Sequence, residues 1–255
     1  MPVSCRRATL AAVLLALGAS PLAADETTHC NTFITSLPYT ITVQGHYCLD
    51  RNLTAPLNTG GIKIDSDFVW LDLNGFKIGH GTQDNDEAIH LFNHHHNITI
   101  RNGLIRRFEA VVGSPVAIEG AGDQVTIEDV AIDDAGSGIK LTGAGNVVRR
   151  CRLHMMQNLL PFSAWGIWLD GGSAVVSDNV VADVQAGCYA PHGIRVTGPG
   201  GFVSNNDVTA VADSFGCPGP GTGIFLEDPS SVYRNNIVTK TSVPYSGGTG
   251  ADNYP

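Results

Sequence analysis

Three stretches, GIKL (residues 138–141), GIWL (166–169) and GIRV (193–196), repeat one four-residue pattern with Lys140, Trp168 and Arg195 at its third place. A flat indole between two cations suits a groove for an acidic sugar chain, offering a ring face for the sugar and charge for its carboxylates. A fourth copy, GIFL, puts Phe225 at that place, and Asp170 and Glu227 stand two residues beyond Trp168 and Phe225. The simpler alternative is a solvated face with favourable cation–π pairs. Everything turns on whether the chain lays these stretches side by side.

It repeats in a way that would. The pattern small-Ile-x-apolar recurs from Gly61, Ala88, Ala117, Gly138, Gly166, Gly193 and Gly223, its isoleucines 27, 29, 21, 28, 27 and 30 residues apart. Eleven to thirteen residues past each isoleucine come Asn74, Asn102, Asp129, Cys151, Asn179, Asn206 and Asn236. An apolar strand such as FVWLDL or QVTIE precedes each of these positions, and a shorter one follows. A unit of 21 to 30 residues with three short alternating strands is one coil of a parallel β-solenoid. Asn tolerates the left-handed backbone of a tight bend, and stacked amides can bond from coil to coil. Asn74, Asn102, Asp129, Asn179, Asn206 and Asn236 are therefore expected to form a ladder, with Cys151 a buried free thiol among them. The fold class is all-β: a parallel β-helix of about seven coils.

With the isoleucine pointing inward, the next residue points outward. Lys140, Trp168 and Arg195 then form a row about 10 Å long at a coil spacing of about 4.8 Å. Asp170 and Glu227 lie beside it.

The 255 residues carry a net charge of −9 and are 43% hydrophobic, enough for one core. Arg6 and Arg7, the apolar run 8–17 and GASPLAA have the order of a secretory signal peptide, so residues 1–24 are expected to be removed. The loss of two arginines and no carboxylate takes the charge from −9 to −11. That balance excludes ordinary nucleic-acid binding, and the apolar run is too short for membrane insertion. The expectation is an exported protein, periplasmic or extracellular. Residues 25–58 are expected to cap the solenoid of residues 59–240, and 241–255 to be a flexible, Gly-rich tail.

The coil phase and asparagine positions resemble the right-handed parallel β-helix proteins of the pectate-lyase type over roughly residues 60–238. In that family the ladder lies between the second and third sheets, which makes the small-Ile strands the first sheet. The resemblance implies that this sheet and the loops before it form a groove for acidic polysaccharide. It implies Arg195 as catalytic base, Lys140 as substrate clamp, and Asp170 and Glu227 as ligands of sugar or calcium. The family's Trp-Ile-Asp-His motif is echoed in VWLDLN and IWLDGG, where Leu73 and Gly171 replace the histidine. The Asp-Pro-His core of alginate epimerases is echoed in YAPHG, with Ala190 in place of the aspartate. His192, one coil from Trp165 at the groove mouth, is the best general acid or base. A lyase, a uronate epimerase and a glycoside hydrolase all remain open, and so does a non-catalytic periplasmic module. One β-helix protein of that last kind assists copper-site assembly in nitrous-oxide reductase.

In this coil arrangement Cys188 and Cys217 precede Gly193 and Gly223 by five and six residues, so they can bridge adjacent loops. Cys30 and Cys48 flank the expected cap strand and can tie it down. The run His94, His95, His96 reads as a solvated turn, since metal ligands usually skip residues. No outer apolar stripe is long enough to define an oligomer.

Overall fold

The computed structural model describes residues 30–56, 59–80, 87–108, 115–158, 162–212 and 219–254. All strand pairings are parallel, and they collect into two sheets. Sheet one has nine strands in chain order: Tyr39–Ile41, Ile62–Ile64, Ile89–His96, Val116–Asp123, Ser137–Thr142, Trp165–Asp170, His192–Val196, Thr222–Leu226 and Val243–Gly247. Sheet two, with sixteen strands, bends round the remaining faces. The seven expected coils are present, and further strands extend both sheets at each end.

Ile62, Ile89, Ile118, Ile139, Ile167, Ile194 and Ile224 stack in register at no more than 1% exposure. They belong to one continuous apolar core. Each such side chain contributes about 1.5–3 kcal/mol by leaving water. In the later coils the glycine before the isoleucine also faces inward. A Cβ on Gly166 would lie 2.4 Å from Val181 Cγ1, and one on Gly193 2.4 Å from Val208 Cγ1. Two successive residues thus turn to the core, which matters for the site.

The ladder is real but shorter than expected at one end and longer at the other. Asn179 donates its backbone N–H and side-chain amide to Asn206 Oδ1, Asn206 does the same to Asn236, and Asn236 to Asn253, at 2.9–3.0 Å. The Cys151 N–H begins the series by donating to Asn179 Oδ1 at 2.9 Å. Asn74, Asn102 and Asp129 lie outside it. They hold the left-handed backbone themselves, with φ of 53°, 58° and 55°, and their side chains are exposed. In later coils that conformation falls at Arg150, Asp178, Asn205, Asn235 and Asp252, one residue earlier, which turns the next side chain inward. Buried Asp72 organises the early corner instead, accepting from Asn74 N, Asn102 Nδ2 and Arg101 Nε at 2.6, 3.1 and 2.9 Å.

Both ends differ from the sequence expectation. The expected cap supplies strands to both sheets and is in effect another coil, with Tyr39–Ile41 paired to Ile62–Ile64 and Gly45–Leu49 to Val69–Asp72. The Cys30–Cys48 disulfide ties it as expected, with Cα atoms 5.7 Å apart. The expected flexible tail is ordered: Val243–Gly247 and Thr249–Ala251 pair with the last coil. Tyr245 stacks on Tyr233 at 5.0 Å, and its hydroxyl lies 2.9 Å from the carbonyl oxygens of Asn236 and Tyr254. These contacts compensate for the segment's polar, Gly-rich composition. Cys188 is disulfide-bonded, and Cys217 lies outside the described residues. Cys151 is a buried free thiol, pushed up to about 12 by burial.

Candidate functional site

The outer face of sheet one carries the predicted row. Lys63, His90, Glu119, Lys140, Trp168, Arg195 and Phe225 oppose one another coil by coil. The Arg195 guanidinium lies 4.5 Å from the Trp168 ring centroid and 5.5 Å from that of Phe225. Lys140 Nζ stands 5.3 Å from Trp168 and 6.0 Å from Trp165, and donates to Glu119 Oε1 at 2.6 Å. The cations thus alternate with aromatic faces, and Glu227 lies 3.7 Å from Arg195 at the rim.

A second outer row stands beside the first, and the inward glycines create it. Because Gly166 and Ile167 both face the core, Trp165 and Trp168 both face out, meeting edge to face at 4.9 Å. His192 follows the same rule, opposite Trp165, with its ring 5.3 Å from Phe225. Ser137, two residues before Ile139 as Trp165 is before Ile167, takes the equivalent place in the preceding strand. Strict inside-outside alternation misses this row, although the repeated small-Ile pair was its signal.

Polar atoms in these rows are buried without partners. Trp165 Nε1, Trp168 Nε1, Arg195 Nε, His192 Nδ1 and Ser137 Oγ all lack one. An unmet buried donor costs about 1–3 kcal/mol, and three of these five, the two indoles and Arg195 Nε, are N–H donors. Burial, and then the charge of Arg195, pull His192 down to about 4. It is therefore neutral over most of the accessible pH range.

The sign of the resulting pH effect is fixed. Between about 4 and the unfolded value near 6.5 the unfolded chain binds the extra proton, so the contribution of His192 to stability rises with pH across that window and is lost as pH falls through it. Urea unfolding between pH 4 and 7 is expected to show a shallower rise with pH in His192→Gln than in the parent chain. Equal slopes would refute the assignment.

The structure does not bring Asp170 and Glu227 together. Thr197 stands between them, its hydroxyl donating to Asp170 Oδ1 at 2.6 Å, so the carboxylates are two coils apart and form no calcium pair. Arg195 and His192 lie in opposed outer rows, with Lys140 two coils back. At the other end of the sheet, Tyr39, Lys63, His90 and Phe92 line a depression of about 260 Å³. Lys63 Nζ lies 3.2 Å above the Phe92 ring there, a second cation–aromatic pair on the same face.

A solenoid of parallel coils wound round one continuous apolar core defines the class as a β-helix protein. Residues 60–237 match the model of the family described as right handed beta helix region, and the chain belongs to that family. No curated protein and no solved structure matches it.

Proposed function

We propose that this protein is exported and binds an acidic polysaccharide along the outer face of sheet one. The observation that carries this reading is the set of buried, unpaired polar atoms around Trp165, Trp168, His192 and Arg195. Three of them are N–H donors, which call for an acceptor-rich ligand, and the adjacent Lys140 and Arg195 suit a carboxylate. Trp168 and Phe225 offer faces for sugar rings. Held between two aromatic rings and near Glu227, Arg195 is better placed as a carboxylate clamp than as the base that the resemblance implied. The Cys30–Cys48 disulfide, and the absence among the described residues of any helix long and apolar enough to cross a membrane, are compatible with export.

The test is retention of the protein in gels containing pectate, alginate or a neutral glucan, with and without calcium. Retention by an acidic polymer and not by the glucan is expected. Trp168→Ala should weaken binding about tenfold, equivalent to about 1.4 kcal/mol. Equal retention by the glucan, or by none of the polymers, would overturn the reading. Scission of the retained polymer with new ultraviolet-absorbing ends would add a lyase activity to the binding site.

A further inference from the structure

The histidine run contains an arrangement that its sequence conceals. In the strand Ile89–His96, Leu91 opposes Gly120 but His94 opposes Ala121, so Phe92 and Asn93 form a bulge, with Asn93 at φ 61°. Beyond the bulge, alternation resumes with His94 and His96 on one side and His95 on the other. His95 is occupied, its ring nitrogens 3.0 Å from Asp65 and from Asp67. His94 and His96 converge on a carboxylate one coil on: His94 Nε2 lies 3.0 Å and His96 Nδ1 3.5 Å from the same Asp123 Oδ2. The other oxygen, Asp123 Oδ1, accepts from Ala144 N–H at 2.7 Å, which fixes the carboxylate's orientation.

These distances are those of donors around one small cation. Two ligand atoms each about 2.0 Å from a tetrahedral Zn2+ lie about 3.3 Å apart. One ligand atom from each of the three residues falls within 4.8 Å of the others, and both imidazoles are half exposed, so a cation has access. Imidazole nitrogens select borderline transition metals over hard calcium, and three protein ligands leave a coordination position for water or an incoming group.

We propose that His94, His96 and Asp123 form an exchangeable binding site for a borderline divalent transition-metal cation such as Zn2+. This is independent of the polysaccharide reading, since its residues lie outside the Lys140–Phe225 rows. The test is isothermal titration of the tag-free chain with zinc chloride, and circular dichroism should show all variants folded, because the altered side chains are at the surface. Saturable uptake of one Zn2+ per chain is expected. His94→Ala and His96→Ala should each weaken it by more than the roughly 10- to 100-fold typical of losing a second-shell partner. His154→Ala, altering another aspartate-paired histidine, should leave it unchanged. Absence of saturable uptake, or uptake indifferent to both His94→Ala and His96→Ala, would overturn the proposal and leave an ion-paired cluster only.

Discussion

Asn206→Ala is expected to lower the unfolding free energy by about 3–5 kcal/mol, from several buried groups losing partners worth about 1–3 kcal/mol each. Asn206 Oδ1 accepts both the backbone N–H and the side-chain amide of Asn179, at 3.0 and 2.9 Å. Its own amide reaches the carbonyl oxygens of Val176 and Ser204 and the Asn236 side chain, at 2.9–3.0 Å. Alanine removes every one of these bonds in a corner that is 2% exposed and so shut off from bulk solvent. Asn102→Ala provides the contrast, because Asn102 faces solvent and makes one side-chain bond, to Asp72 Oδ1 at 3.1 Å, so its replacement costs about 1–2 kcal/mol through that bond and the left-handed backbone. Equilibrium urea unfolding of both variants decides the point. Equal losses would mean that the ladder does not carry the corner.

Gly193→Val is the second large effect, and it joins fold to site. The new Cβ would fall 2.4 Å from Val208 Cγ1 and 2.7 Å from the Gly223 carbonyl oxygen. Neither a β-branched side chain nor a strand backbone yields cheaply, so overpacking should lower stability by about 3 kcal/mol. The same displacement would push His192 and Arg195 out of their opposed rows. Reduced polymer retention at temperatures where the variant remains folded is therefore expected. Gly172→Ala is the control: its nearest atoms are 3.6 Å away, so it should be close to neutral. If Gly193→Val retained both stability and binding, the inward glycine would not be what opens the second outer row.

The isoleucine column was legible because an inward residue recurring at coil length is dictated by stacking, and a polar residue there would leave a buried group without a partner. The outward row from Lys63 to Phe225 followed by simple alternation. Asn74, Asn102 and Asp129 misled because a corner needs both a left-handed residue and an inward amide, and a one-residue offset exchanges the two roles without changing residue type. Trp165 and His192 looked like loop residues because alternation gives no warning that Gly166 and Gly193 turn inward with their isoleucines. The strands at the two ends were hidden by their composition. Segments such as Thr249–Ala251 become strands only through a neighbouring coil, a tertiary effect that local propensity does not record. The His94–His96–Asp123 cluster depended on a bulge and on a partner 27 residues past His96.

The parallel register of sheet one has a consequence for how such a molecule can change. Each coil advances the stack by about 4.8 Å and returns the chain to the same face. Inserting or deleting a whole turn, such as the 27 residues from Gly166 to His192, would slide everything beyond it along the axis without rotating it. Loss of a single residue within a strand would instead invert which side chains face the core. The molecule therefore behaves as a ruler with fixed graduations, on which the spacing between the Lys63 and Phe92 pair and the tryptophan rows can be altered only in whole divisions. Duplication of a turn becomes the natural way to match a longer ligand, and frame-preserving slips shorter than a turn are the changes this architecture filters out.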